Sequence, residues 1–230
     1  EGFTFYYFVL GYGKNQKRIQ QTITDSTSDH AVQMATNKST CKQLLRYLDI
    51  PTPRWQMIEN PYDLEEFVKT VEGSPIVLKP NEGGGGVDCY VALTKQHERV
   101  VAYEKCQANH ATVLAEEFIA GTDVRLCVID HRVICGLSRI PPTITGDGHS
   151  PISELITHLE EKNQQNPACR SDVLIGDETH RILHERGHTL HSVLPLGETL
   201  ALQYKSNISS GAMVRDITHS LGTDIVYFAE

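Results

Sequence analysis

The sequence predicts a mixed α+β fold, because two hydrophobic periods alternate along its 230 residues. Apolar residues recur at helical spacing over 36–48 and 60–71, alternate in the strand manner through 123–140, and Gly and Pro punctuate the boundaries. With 40% hydrophobic residues, a chain of this length can bury one substantial core, or two small ones sharing a cleft.

Residues 3–10 read as a strand, since the apolar run is about half the length needed to span a bilayer and has no basic flank before it. No membrane association is expected. Residues 36–48 read as a helix with Cys41, Leu44, Leu45 and Leu48 on one face, ended by Asp49-Ile50-Pro51-Thr52-Pro53. Asn60 caps a second helix with Pro61 at its first position and Leu64, Phe67, Val68 and Val71 as the buried stripe. Residues 75–78 form a short strand that delivers Lys79 into a glycine loop. Three more strands follow at 112–119, 123–130 and 132–140, the last two a hairpin turning at Asp130-His131. Ser150-Pro151 opens a helix through Leu159, and the polar, histidine-rich stretch 160–192 holds a loop at 169–172 and a short helix at 177–185. A strand at 199–204 and a polar loop at 206–211 lead to the last segment, 223–230. That segment begins an amphipathic helix with Ile225, Val226, Phe228 and Ala229 but runs for about two turns where helices average three, so the chain reads as cut inside an element. Its apolar face is expected to favour self-association into a homo-oligomer.

The formal charge of −8 and pI near 5.8 argue against a nucleic-acid binder, which needs a basic stripe to neutralise phosphates. The six cysteines form no C-x-x-C pair, which suggests reduced thiols in a cytoplasm rather than a zinc site or a disulfide framework.

Chemistry concentrates in a few places. Lys79 precedes Gly83, Gly84, Gly85 and Gly86, so backbone amides free of side chains can approach phosphate oxygens while the lysine supplies charge. This is no Walker loop, because the lysine comes first, and alone it reads equally as a mobile surface loop. Lys38 stands at a helix start, where a cation opposes the macrodipole and calls for solvent or an anion. Glu116, Glu117, Phe118 and Ile119 follow an apolar strand and resemble an adenine-binding hinge, with Asp123 placed to accept ribose hydroxyls; an acidic strand edge with a turn is the plainer alternative. Arg125 shares the face of Asp123 by alternation, and Arg139 ends the hairpin partner; each suits phosphate, a substrate carboxylate or an ordinary surface ion pair. His180, His184, His188 and His191 invite a metal reading, but no H-E-x-x-H occurs and Gly187 breaks the helix before His188.

In this order the pieces resemble the ATP-grasp superfamily, and most of all the ATP-grasp region of cyanophycin synthetases, with bifunctional glutathione synthetases and N-acetylglutaminylglutamine synthetases nearby. The similarity rests on residues 10–19 continuing into 24–28, on 117–125 (EFIAGTDVR), on 146–150 (GDGHS) and on Glu154-Leu155-Ile156. It implies two α/β lobes with a nucleotide between antiparallel sheets: an entry segment at 1–35, an N-terminal lobe at 36–110 carrying the glycine loop, and a C-terminal lobe at 111–230 missing its last part. It further implies ATP and Mg2+ as cofactors, Lys38, Lys79 and the four glycines on the phosphates, Glu116 to Ile119 at adenine and Asp123 at ribose. Arg125, Arg139 and Lys205 take catalytic positions, with Asn207, Ser209 and Ser210 in a phosphate-facing polar loop. Gly211-Ala212 replaces the family's Gly-Gly, Asp216-Ile217-Thr218-His219 lacks the second acid of its Asp-x-Thr-Asp, and the glycine loop is short. The magnesium ligands are expected beyond Glu230. The reaction implied is amide formation through an acyl phosphate with release of ADP, on an amino-acid or peptide substrate. The alternatives are a glutathione-type ligase or a non-catalytic remnant that binds nucleotide or a partner. The 230 residues alone are expected to bind nucleotide weakly and to be inactive.

Overall fold

In chain order the described elements are β1 (Tyr7–Leu10), β2 (Lys17–Gln20), β3 (Ile23–Thr24), α1 (Asp29–Thr36), α2 (Lys38–Tyr47), β4 (Trp55–Ile58), α3 (Pro61–Thr70), β5 (Ile76–Pro80), β6 (Tyr90–Leu93) and α4 (Gln96–Asn109). They continue with β7 (Val113–Glu117), β8 (Asp123–Ile129), β9 (Arg132–Ile140), β10 (Thr143–Thr145), α5 (Ile152–Gln164), α6 (Asp177–Glu185), β11 (Thr199–Ala201), β12 (Met213–Asp216) and α7 (Thr223–Ala229). This computed structural model describes residues 7–20, 22–166 and 172–230. Residues 3–6 of the expected first strand and 169–171 of the expected loop, Cys169 included, lie outside the described residues. The chain forms two compact units, one of residues up to Gly84 with Thr94–Glu117, the other of Gly85–Leu93 with Phe118–Glu230.

In the first unit β7 lies between β4 and β5 and is antiparallel to both, with Glu116 opposite Trp55 on one side and Val77 on the other. All five residues of β7 are buried or half-buried. α3 and α4 pack on these strands. Leu64, Phe67, Val71, Ile76, Leu78 and Val113 form the dry interior. α3 begins as the sequence predicts, because the Asn60 Oδ1 accepts from the amides of Tyr62 (2.9 Å) and Asp63 (3.1 Å) and Pro61 occupies the first turn.

One expected helix starts differently. Thr36 closes α1, and the helix expected from residue 36 begins at Lys38, because the Asn37 side chain accepts from the Thr40 amide at 3.0 Å while the Asn37 backbone is extended. A cap in mid-pattern breaks the helix without disturbing its apolar spacing.

The second unit holds the antiparallel sheet β12-β9-β8 and a separate core. The β8–β9 hairpin turns at Asp130-His131, both with positive φ (50° and 59°), the conformation that two-residue hairpin loops favour. Ile144, Ile152, Ile156, Leu183, Leu194, Leu200 and Leu202 cluster between the β10–β11 pair and helices α5 and α6. α5 runs five residues past the expected Leu159, to Gln164, and ends with Asn163 buried and its side-chain amide on the Gly211 carbonyl at 3.3 Å. The strand expected over 199–204 pairs only through Ala201. Leu202 donates to the Pro142 carbonyl at 2.8 Å, and a proline has no amide to return the bond. Among the described residues no helix is long and apolar enough to cross a membrane.

Gly146 ties this second core together: its amide donates to the Glu198 carbonyl and its carbonyl accepts from Gly197, both at 2.8 Å. A Cβ there would lie 2.2 Å from the Pro195 carbonyl oxygen, an obstacle made of backbone. Gly146→Ala is expected to cost about 1–3 kcal/mol, the usual range for overpacking. Gly121→Ala, where a Cβ meets nothing within 4 Å, is expected to stay within about 0.5 kcal/mol. Urea unfolding of the two variants compares them directly, and equal midpoints would contradict the packing argument.

Candidate functional site

In the first unit β5 and β7 set one carboxylate between two lysines. Glu116 lies opposite Val77, and Lys79 is two residues further along β5, so both side chains leave the same face of the sheet. The Lys79 Nζ donates to Glu116 Oε1 at 2.5 Å, and the Lys42 Nζ pairs with Oε2 at 2.8 Å. Lys42 is one helical turn after Lys38 on α2, is 8% exposed, and also donates to the Thr52 hydroxyl at 2.9 Å. Burial pushes the Glu116 carboxyl up; the field of Lys79, the hydrogen bonds from Lys42 and Lys79 and the field of Lys42 outweigh it, so its pKa falls below the ordinary value.

The second lysine expected on phosphate, Lys38, reaches the glycine loop itself. Its Nζ donates to the carbonyls of Gly83 (3.0 Å) and Asn81 (3.3 Å), while its backbone amide donates to Asn81 O at 3.0 Å. Asn81 is buried, and its Oδ1 accepts from the Ser39 amide at 2.8 Å. The start of α2 is thus fastened to the segment that leaves β5. Glu117 faces Arg54, with Nε to Oε2 at 3.1 Å and Nη2 to Oε1 at 3.2 Å, and the Arg54 Nη1 donates to the Thr70 carbonyl. Gly83, Gly85 and Gly86 have positive φ, a backbone that carries no ordinary side chain without strain.

Within the second unit the loop's last glycine meets the polar loop expected to face phosphate. A Cβ on Gly86 would stand 2.8 Å from the Asn207 Oδ1, so only glycine leaves that amide group its place. Ser209 is exposed; Ser210 is buried with its hydroxyl on the Asn207 carbonyl at 3.0 Å. Phe118 packs edge-on against Tyr204, ring centroids 5.8 Å apart, while Ile119 is exposed. The Arg181 guanidinium lies 5.6 Å from the Tyr204 ring centroid and donates to the carbonyls of Val91 (2.6 Å) and Ala92 (3.1 Å) on β6. Glu178 accepts from the Tyr204 amide at 3.1 Å and pairs with the Lys205 Nζ at 3.6 Å.

At the base of the hairpin Asp123 stands opposite Arg139, and Arg125 grips the Asp123 carboxylate with Nε at 2.8 Å and Nη2 at 3.2 Å. The two hydrogen bonds pre-orient the acid, whose side chain remains partly open to solvent. Asp147 in the GDGHS segment accepts the backbone amides of His149 (3.0 Å) and Ser150 (2.8 Å), which hold its pKa well below the usual carboxylate range. Asp216 is likewise lowered, by the Thr218 hydroxyl at 2.6 Å and the Thr218 amide at 2.9 Å.

Lys42, Asn81, Arg181 and Tyr204 escaped the sequence reading. Only Lys42 left a local trace, the four-residue step from Lys38. The partners of the others are remote in sequence. Among the described residues no group of three or more His, Cys, Asp or Glu side chains is gathered for a metal ion.

Residues 35–147 match the RimK-like ATP-grasp domain. Over that stretch the chain carries a RimK-like ATP-grasp domain. Over 224 residues, 96% of the chain, it is 31% identical to cyanophycin synthetase of Trichormus variabilis, and over 80% of the chain 28% identical to the glutathione biosynthesis bifunctional protein of Streptococcus mutans. It spans about a quarter of the length of either relative. A crystal structure of a bifunctional glutathione synthetase from Pasteurella multocida superposes on 97% of the chain and 31% of its own length, with a TM-score of 0.54 at 20% identity, a likeness of fold.

The lowered pKa of Glu116 fixes the sign of a pH effect. Its ion-pair contribution is fully present above the ordinary carboxylate value and is lost as pH falls through the depressed one. At pH 7 Lys42→Met is expected to cost about 3 kcal/mol, the low end for removing one partner of a buried pair, since Lys79 remains. Once acid protonates Glu116 the deficit should shrink, so urea titrations at pH 7 and in acid test it. Equal deficits at both would show that Lys42 acts through packing.

Proposed function

We propose that this chain is the nucleotide-binding part of an ATP-dependent carboxylate–amine ligase of the cyanophycin synthetase type. The observation that carries the reading is Lys38, whose ammonium sits on the Gly83 carbonyl while Lys79 projects from the strand that feeds the same loop. Two cations and a run of side-chain-free amides suit a triphosphate, whose negative charge needs neutralising by groups already in position. Both lysines and the glycine backbone fit that ligand.

In this reading the segment Glu116 to Ile119 borders adenine, and Asp123, oriented by Arg125, accepts the ribose hydroxyls. A carboxylate oxygen of an amino-acid or peptide substrate attacks the γ-phosphorus and ADP leaves; an amine then attacks the acyl carbon and expels phosphate. Lys38 and Lys79 hold the phosphates, and Arg125, Arg139 and Lys205 attract the acid and the developing charge. Magnesium, when bound, supplies further neutralisation of the terminal phosphates. The similarity to bifunctional glutathione synthetases favours a second reading of the same chemistry, a small-peptide ligase of that type. An ADP-release assay on the full-length gene product, with and without candidate acids and amines, tests both; nucleotide hydrolysis unaffected by any acid would contradict them.

Two binding measurements test the residue assignments. Lys79→Ala is expected to weaken ATP by about 1.5–3 kcal/mol, the range for a hydrogen bond to a charged group. An unchanged dissociation constant in calorimetry would remove Lys79 from the site. Asp123→Ala is expected to weaken ATP while leaving an analogue without ribose hydroxyls nearly unaffected, and equal losses for both would reduce Asp123 to a structural role.

A further inference from the structure

The β8–β9 hairpin carries a feature that nucleotide binding does not use. Cys127 and Cys135 are directly opposite each other in the antiparallel ladder, and both are free thiols. Opposed residues of such a pair put their side chains on the same face, with Cα atoms about 4.5 or 5.5 Å apart according to pair type, and both spacings fall within the roughly 4.4–6.8 Å that a disulfide spans. Alternation along β8 puts Cys127 on the face of Asp123 and Arg125, and Cys135 on that of Leu137 and Arg139.

That face is the open one. On the other, Gly136 and Ser138 are buried; the Gly136 amide donates to the Thr218 hydroxyl at 3.1 Å, and a Cβ at Gly136 would strike the Leu221 side chain at 2.8 Å. Cys127 is exposed and Cys135 half-buried, so a small reagent can reach the first sulfur while the second waits beside it. The ladder shifts register immediately after Cys127, an irregularity at which the strand can bend and re-aim its side chains.

We propose that Cys127 and Cys135 form a reversible dithiol site whose reagent is a small-molecule disulfide such as glutathione disulfide. The Cys127 thiolate attacks one sulfur of the reagent, forms a mixed disulfide and expels one glutathione thiolate. The Cys135 thiolate then attacks the Cys127 Sγ, forms the cross-strand disulfide and expels the second. The two cysteines are oxidised by two electrons, the glutathione disulfide is reduced to two thiols, and the two protons released by the cysteines pass to the departing thiolates. Closure staples the hairpin four residues from Asp123 and Arg139.

The test is incubation of the folded chain in glutathione redox buffers, alkylation of remaining thiols, and peptide mass spectrometry. The native chain should lose two hydrogens as Cys127 and Cys135 close together, with no lasting glutathione adduct on either, and reduction should restore both thiols. In Cys135→Ser, where the second step is impossible, the adduct should persist on Cys127. Lasting adducts on both cysteines of the native chain, or bonds from either to Cys41, Cys89 or a second chain, would overturn the proposal.

Discussion

Glu116 ties the first unit's sheet to α2. Its two oxygens are shared between Lys79 on β5 and Lys42 on α2, so one buried carboxylate links a strand of the sheet to the helix whose first residue is Lys38. Removing the acid would leave two ammonium groups facing each other, while the start of α2 stays fastened to the loop through Asn81. The ion pairs need not add net stability, because desolvation offsets much of their attraction. Their stronger consequence is position: Lys79 is drawn along the sheet face beside Glu116, and Lys38 is set one turn from Lys42 against Gly83.

The second unit uses a different device for the same end. Its candidate groups sit on a twisted hairpin whose covered face is closed by Thr218 and Leu221, leaving Asp123, Arg125, Leu137 and Arg139 on the other. Tyr204 carries Phe118 on its edge and is itself backed by Arg181, which reaches the carbonyls of β6. A change at Arg181 therefore reaches Phe118 through Tyr204, as an effect on positioning.

What the sequence reveals is local chemistry. Asn60-Pro61 announces a helix start because both residues act on their neighbours, and the hairpin announces itself by alternation on either side of Asp130-His131. Asn37 hides a helix break, because a cap inside an apolar rhythm looks like one more polar position. Lys42 and Arg181 are ordinary helix lysine and arginine until the strands that hold Glu116 and the β6 carbonyls are in place. Candidate residues named from resemblance thus lie on recognisable elements, whereas the groups that hold them in place come from distant segments.

The claim on which the proposed function rests is that this chain binds ATP selectively. Titration of ATP and GTP into the folded chain, followed by calorimetry, addresses it most directly. One saturable site for ATP is predicted, with GTP markedly weaker because a hinge that accepts the amino edge of adenine is mismatched to the guanine carbonyl. Equal affinity for the two nucleotides, or no saturable ATP binding, would contradict the account.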